Sequence, residues 1–331
     1  MTNKVYLVGA GPGSPDLITL RGREILRQAD VVIYDYLVNK QLLSETKPEA
    51  ELICCDEIGK RRYKDGFLHG QGRINKLIVK KAKQGKKVVR LKNGDVSIFS
   101  RLSQELDVLV KQKIEFEIVP GVTAASAASA LSGIPLTNRR FASSCVFATG
   151  HEDPGKKVSS LDWESLTNSG TIVLYMAVEN LPQIAKELLK AGKSQDTAIA
   201  VIQNVSLLSQ KVVTGTLKDI VVKVKEERIK PPAIIIIGEV VRLEKKFDWL
   251  RKTKKILFTG ISAQRFFEKG IFFHLPLIKI EPLADYQQFD QALRDIQNYD
   301  WIVFTSRFGV QYFFTRLNKV GLDTRILNKS K

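Results

Sequence analysis

Apolar residues in this chain come in short runs separated by polar, glycine-bearing turns. KVYLVGA (4–10) and DVVIYD (30–35) read as buried strands with a helix between them. A helix-like RINKLIVKKAKQG precedes KKVVRLKNGD (86–95), which holds another strand, and FEIVPG (116–121) reads as a fourth. Strands alternating with helices imply a mainly parallel sheet covered by helices. A second set begins near Pro120-Gly121, with strand-like SCVFATG (144–150), TIVLYMAV (171–178), AIAVIQ (198–203), KVVTGTL (211–217) and AIIIIGEVV (233–241). Within it LPQIAKELLKAG has apolar residues at helical spacing and a glycine stop. The charged RLEKKFDWLRKTKK (242–255) then breaks the rhythm, which restarts in ILFTGIS, IKIEPLADY, FDQALRDIQNYD and WIVFTSRFGV. The pattern predicts an α/β chain with domains over 1–118 and 119–243, a charged linker over 244–255 and a partial α/β unit over 256–331.

Composition adds limits. With 44% hydrophobic and 26% charged residues in 331, the chain is globular rather than disordered. No apolar run approaches the ~20 residues that span a bilayer. The opening MTNKVYLVGA leads straight into a strand, so the expectation is a cytoplasmic protein without a secretory signal or membrane association. Three cysteines, Cys54, Cys55 and Cys145, do not make a disulfide framework. The vicinal pair fits the end of a buried strand better than metal or redox chemistry. Net charge is +17, divided as +10 over 1–243 and +7 over 244–331, so it is spread along the chain. Such a field attracts nucleic acid, an anionic membrane surface or an acidic small molecule. With 8% aromatics and no run interleaving them with basic residues, stacking platforms for nucleic acid are not indicated.

The first turn, LVGAGPGSPDLITLRG (7–22), invites a dinucleotide reading. That fingerprint needs Gly-x-Gly-x-x-Gly between strand and helix, with an acidic residue ~20 positions on. Gly9 and Gly11 supply two glycines and Asp35 the acid, but Ser14 holds the third position. Ser14 suits an N-cap, Pro15 the first helical residue and Asp16 the positive helix end, so the helix is expected to start after Gly13. Pro12 removes an N–H that could reach a phosphate. Alone, this turn leaves a dinucleotide, another ligand and a ligand-free turn all open. Two further turns sharpen it: VVRLKNGDVSIFSR (88–101) and VPGVTAASAASALSGIPLTNRR (119–140). The second builds a helix from small residues, which permits close approach by a helix or a flat ligand. Three loops at strand ends read as the wall of one crevice, where open α/β sheets bind ligands.

In chain order, VYLVGAGPGSPDLITLRG, ADVVIYDYLV, VVRLKNGD, VPGVTAASAASALSGIPLTNR, ATGH, TIVLYMAV and PPAIIIIGEVV resemble the tetrapyrrole methyltransferase family, in its uroporphyrinogen-III branch. The resemblance covers 4–243. It implies two α/β domains with S-adenosyl-L-methionine in the cleft between them, usually in a homodimer. The implied reaction is methylation of two pyrrole carbons of uroporphyrinogen III to precorrin-2, for sirohaem or cobalamin. Carried over by motif, Pro12, Asn93, Gly94, Asp95, Ile98, Thr123, Ala124, Met176, Val205 and Ala233 fall at cofactor positions. Asp35 matches a proposed proton acceptor and Lys60 a proposed proton donor. The second loop departs from the family's glycine-richer pattern, with Asn93, Val96, Ser97, Ser100 and Leu102 in place of expected residues. The competing readings are an NAD(P) oxidoreductase, a sibling that methylates ribosomal RNA and a non-enzymatic RNA-binding module.

The implied chemistry suits these residue types. A sulfonium methyl is already activated, so alignment and exclusion of water dominate and no metal is required. A strand-end carboxylate such as Asp35 can take the proton that leaves the alkylated macrocycle, although it could equally satisfy backbone N–H groups. Lys60 suits pairing with a substrate carboxylate, and Arg and Lys suit the acidic arms of a tetrapyrrole. His69, His151 and His274 show no metal-ligand spacing, and no metal is expected. Residues 256–331 resemble the opening of uroporphyrinogen-III synthase, most specifically in FTSRFGV with Thr305, Ser306 and Gly309. That resemblance stops inside the first of the synthase's two lobes, so no synthase activity is expected, and a tail that is marginally folded or docked on the methyltransferase.

Overall fold

The computed structural model describes residues 4–55, 67–150, 161–261 and 271–327 apart from 276, 279 and 282. The chain divides into two compact units, Met1–Lys252 and Thr253–Lys331.

The first unit contains two five-stranded sheets. In one, β1 (Lys4–Gly9), β2 (Val31–Tyr34), β3 (Glu51–Cys54), β4 (Val88–Lys92) and β5 (Glu115–Val119) lie in the order β3-β2-β4-β1-β5. All neighbours are parallel, with Val5 opposite Val88 on one side and Phe116 on the other. Helices α1 (Leu20–Arg27), α2 (Phe67–Lys83) and α3 (Leu102–Lys111) accompany it. Both sheet faces are dry, one in the cluster of Val8, Ile25, Leu26, Val32 and Leu91, the other in that of Leu7, Ile33, Ile78 and Leu109. That is why these strands read as continuous apolar runs rather than alternating ones.

The second sheet is mixed. Its strands β6 (Cys145–Thr149), β7 (Thr171–Tyr175), β8 (Ala198–Gln203), β9 (Lys211–Thr216) and β10 (Ala233–Ile237) run β6-β7-β10-β8-β9. Only β6 and β7 pair parallel. β10 inserts antiparallel between β7 and β8, and β8 pairs antiparallel with β9. The physical reason lies in the connection 204–210, which is too short for a crossover helix and so returns β9 as a hairpin partner. Helix α4 (Ala124–Ser132) packs its alanines against Val173, Ile202, Ile234 and Ile236. The opposite face is covered by α5 (Trp163–Thr167), α6 (Leu181–Lys190) and α7 (Ile220–Glu226), which bury Leu166, Leu188 and Ile220.

Part of the charged stretch expected as a linker is built into this unit. Glu244–Phe247 form a short helix, α8. Trp249 Nε1 donates to the Ala130 carbonyl at 2.8 Å. Gly133, at φ +71°, ends α4 so close to this segment that a Cβ there would lie 2.5 Å from the Phe247 backbone.

The second unit holds a two-stranded parallel sheet, β11 (Lys255–Phe258) and β12 (Ile271–His274), with helices α9 (Gln287–Arg294) and α10 (Arg307–Lys319). Its small core gathers Leu293, Ile296, Phe313 and Leu317, and Arg316 pairs with Asp290 at 2.5 Å. The strand-like run 301–304 is assigned no strand, and Trp301 and Val303 stand exposed. The FTSRFGV turn starts α10, where the Ser306 hydroxyl accepts from Gly309 N at 3.0 Å as an N-cap.

Candidate active site

Three loops meet at the carboxyl ends of β1, β4 and β5. Gly11 and Gly94 exchange backbone hydrogen bonds at 3.2 and 2.8 Å. A Cβ on Gly121 would stand 2.3 Å from the Gly94 carbonyl, and one on Gly9 only 2.6 Å from Gly121 Cα. Glycine is thus required at 9 and 121 by contact between backbones. Gly94 is different: space there is open, but φ is +71°, a conformation that costs any side chain. Asp95 ties the second loop to the third. Its carboxylate accepts from Gly121 N at 2.8 Å and from Ser97 N at 2.8 Å. Burial pushes this carboxyl upward, but the hydrogen bonds from Ser97, Gly121 and Val96 together hold it below its ordinary value.

The first loop differs from expectation. Ser14-Pro15-Asp16 begins only a 3₁₀ turn (Pro15–Leu17), and Ser14 makes no side-chain cap. The α-helix starts at Leu20, where the Thr19 hydroxyl accepts from Gly22 N at 3.2 Å. A close-packing glycine does exist: a Cβ on Gly22 would approach Val8 Cγ1 to 3.0 Å. The extra turn displaces it from the dinucleotide spacing, which the sequence pattern could not show. Half-buried Pro12 lies between Gly11 and Gly13, and Gly13 is clamped by Asn39 Nδ2, which donates to its carbonyl at 2.8 Å.

Asp35 sits just beyond β2. Its carboxylate accepts from Arg90 Nη2 at 2.5 Å and, at 3.4 Å, from Asn93 N in the second loop. Arg90 and Lys92 share the side of β4 that faces α3. Arg90 Nε and Lys92 Nζ each reach Glu105 at 2.9 Å. Gln71 Nε2 adds a third donor to Glu105 at 3.2 Å. Arg90, Lys92 and Glu105 are almost wholly buried, whereas the Asp35 side chain is 33% exposed. Burial works against the charge on Arg90, but the Asp35 and Glu105 carboxylates raise its affinity for the proton. Burial and the Arg90 charge lower that of Lys92, against the pull of Glu105. Cys55 lies in this field with its thiol pushed up to about 12, chiefly by burial, which makes it unreactive.

Tyr175, the last residue of β7, joins the two sheets. Its hydroxyl is 2.6 Å from Thr123 Oγ1 and accepts from Ala125 N at 3.2 Å. Thr123 is the N-cap residue of α4 but makes no side-chain cap, so the tyrosine serves one of the helix's free N–H groups from across the interface. The Tyr175 ring meets Phe99 of the second loop at 5.0 Å and Phe147 at 6.0 Å. Met176 follows at φ +53° and is 53% exposed.

The structure therefore gathers Pro12, Asn93, Gly94, Asp95, Thr123 and Ala124 around one junction and places Asp35 and Met176 beside it. Ile98 is half-buried next to Phe99. Val205 belongs to the connection after β8, its carbonyl 2.8 Å from where a Gly13 Cβ would be, while Ser14 N donates to Ser206 Oγ at 2.8 Å. Ala233 opens β10 opposite Gln203. Lys60 and His151 lie outside the described residues. Among the described residues no cluster of His, Cys, Asp and Glu could hold a metal, and no helix is long and apolar enough to cross a membrane. The junction fits a small polar ligand: Asn93 Oδ1 is buried without a hydrogen-bond partner, an acceptor unused beside the open face of Gly94.

Sequence reasoning missed Tyr175, Phe99, Ser206 and the Arg90–Lys92–Glu105 group. Two basic residues at alternate positions of a strand otherwise apolar were the available signal for the last.

A parallel sheet whose carboxyl-end loops converge on an unused acceptor defines a ligand-binding α/β protein. Residues 4–221 match the family model of tetrapyrrole (corrin/porphyrin) methylases, and residues 268–331 match that of uroporphyrinogen-III synthase. The chain belongs to the tetrapyrrole methylase family. It is 47% identical over 241 residues to the S-adenosyl-L-methionine-dependent uroporphyrinogen III methyltransferase of Methanosarcina barkeri, covering 72% of this chain and 92% of that one. Porphyrin biosynthesis protein HemD of Ruminiclostridium josui is 38% identical over 340 residues, covering 99% of this chain and 66% of its own length. Among solved structures, the uroporphyrin-III C-methyltransferase of Thermus thermophilus complexed with S-adenosyl homocysteine aligns with a TM-score of 0.60 and 32% identity, covering 72% of this chain and 94% of that one.

Proposed function

We propose that this chain methylates uroporphyrinogen III at two pyrrole carbons to give precorrin-2, using S-adenosyl-L-methionine, in sirohaem or cobalamin biosynthesis. The observation that carries this reading is the junction of three loops at Gly9, Gly94 and Gly121 beside the unpartnered Asn93 Oδ1. When bound there, the cofactor supplies a methyl group already activated by its sulfonium. Pro12, Asn93, Gly94, Asp95 and Ile98 form one side of its seat. Thr123, Ala124 and Met176 form the other, with Val205 and Ala233 at the edge of the second sheet. The chain's own work is then alignment: a pyrrole β-carbon is held behind the methyl and water is kept out. Asp35 stands at the strand end to accept the proton lost after the new C–C bond forms. Lys60 pairs with a substrate carboxylate, and the +10 of residues 1–243 attracts the acidic arms of the macrocycle. A cytoplasmic homodimer acting on a small molecule rather than on nucleic acid completes the reading. Titration calorimetry with S-adenosylhomocysteine, NAD(H), NADP(H) and RNA tests it. S-adenosylhomocysteine alone should bind; tight NAD(P) binding without S-adenosylhomocysteine binding would overturn it.

A further inference from the structure

Below the loops, four charged side chains form a chain that ends at the candidate base. Glu105 on α3 accepts from Arg90 Nε and Lys92 Nζ, both on β4. Arg90 spends further donors on the Ile33 and Leu91 carbonyls, at 3.3 and 3.2 Å, and on Asp35. Two cations and two anions balance, so the group carries no net charge, and only Asp35 reaches solvent appreciably. The nearby thiol of Cys55 is kept neutral by burial. A set of ions this deep is poor stabilisation compared with apolar packing. It does give the guanidinium one position, since both ends and one amino group of its planar fork are engaged. The Asp35 carboxylate is thereby fixed between Arg90 and the backbone N–H of Asn93, at the turn where the cofactor loop begins.

We infer that Arg90, locked by Glu105, which Lys92 neutralises from the other side, is a positioning residue that sets the place of the Asp35 carboxylate for the methyltransferase reaction. The inference rests on the reading of function given above. No atom of Arg90 touches the reacting carbon. It acts by holding the carboxylate in line through a hydrogen bond from its guanidinium.

Arg90→Lys separates this role from simple support. A single ammonium keeps the charge and can satisfy Glu105, but it cannot also span to Asp35. The expected result is a fall in kcat of about 10- to 100-fold, the order produced by a misplaced group, with S-adenosylhomocysteine affinity within about threefold of wild type. KM for uroporphyrinogen III should change by less than kcat, because the group lost positions the proton acceptor rather than the substrate. A second, charge-balanced variant, Glu105→Leu with Lys92→Met, leaves the Arg90–Asp35 pair but frees Arg90 Nε. It should lower kcat by a smaller factor, because the carbonyls of Ile33 and Leu91 still hold the guanidinium. A folded Arg90→Lys protein with wild-type kcat, or one whose loss falls on KM alone, would overturn the inference. If Arg90→Lys does not fold, the double variant decides, and wild-type kcat there overturns it equally. Wild-type protein that binds S-adenosylhomocysteine but methylates nothing would instead refute the reading of function, and the positioning role with it.

Discussion

Tyr175→Phe removes one oxygen atom and leaves the ring. The tilted Phe99 and edge-on Phe147, at 5.0 and 6.0 Å, remain available to it. Two hydrogen bonds disappear, one with Thr123 Oγ1 and one from Ala125 N. Ala125 is fully buried, and its N–H at the second position of α4 has no intrahelical acceptor. Leaving such a donor unsatisfied costs about 1–3 kcal/mol, and the lost bond to Thr123 adds roughly 1 kcal/mol at most. Local opening of the first turn of α4 should therefore become about 5- to 700-fold more frequent, at 1.4 kcal/mol for each factor of ten. Hydrogen-exchange mass spectrometry on peptides spanning 124–132 reads this directly. Protection should fall at the start of α4 and stay unchanged in α2 and α3. Because Thr123 and Ala124 lie in the same turn, S-adenosylhomocysteine affinity should also weaken. Exchange in α4 indistinguishable from wild type would refute the idea that Tyr175 caps this helix across the sheet interface.

Asp35→Asn should cut methyl transfer far more than S-adenosylhomocysteine affinity, because Asn keeps the shape and loses the basicity; full activity would reduce Asp35 to a structural role. Gly121→Ala places a Cβ 2.3 Å from the Gly94 carbonyl and should abolish the loop junction, seen as lost S-adenosylhomocysteine binding, whereas Gly94→Ala meets only backbone strain and should cost about 1 kcal/mol in a denaturant titration. Glu45, held below its ordinary value by Arg23, against burial and with help from Arg27, contributes stability that is complete above about pH 4.5 and is lost as pH falls through its lowered native value. Glu45→Gln should consequently be less stable than wild type at pH 7, and the difference should vanish in acid unfolding experiments once the pH is below Glu45's lowered native value. Ending the chain after Lys252 keeps Trp249 on α4 and should leave methyl transfer nearly intact; its loss would give the second unit a structural part in the reaction.

Much of this architecture was legible in the chain. Strands buried on both faces, such as Ala198–Gln203 and Ala233–Ile237, announce themselves as apolar runs, and the glycines after β1, β4 and β5 marked the junction of loops. Strand direction was not legible. Nothing local in Ala233–Ile237 shows that it enters the second sheet antiparallel between β7 and β8, since that depends on a long-range pairing. The start of α1 was misplaced because Ser14-Pro15-Asp16 carries good capping residues, yet the chain uses them for a single 3₁₀ turn and starts the helix again at Thr19. Arg90, Lys92 and Glu105 escaped notice for a related reason. A basic residue in a strand looks solvated until a helix from elsewhere supplies its counter-ion. In the second unit Trp301–Phe304 has the composition of a strand but forms none among the described residues, since strand composition alone supplies no pairing partner.

The central claim is a methyl transfer, and the product mass tests it most directly. Purified protein is incubated anaerobically with uroporphyrinogen III and S-adenosyl-L-methionine carrying a deuterated methyl group, and the tetrapyrrole is examined by mass spectrometry. The account predicts two labelled methyl groups on carbon per macrocycle, with two equivalents of S-adenosylhomocysteine released. An unlabelled tetrapyrrole, from protein shown by calorimetry to bind S-adenosylhomocysteine, would contradict it.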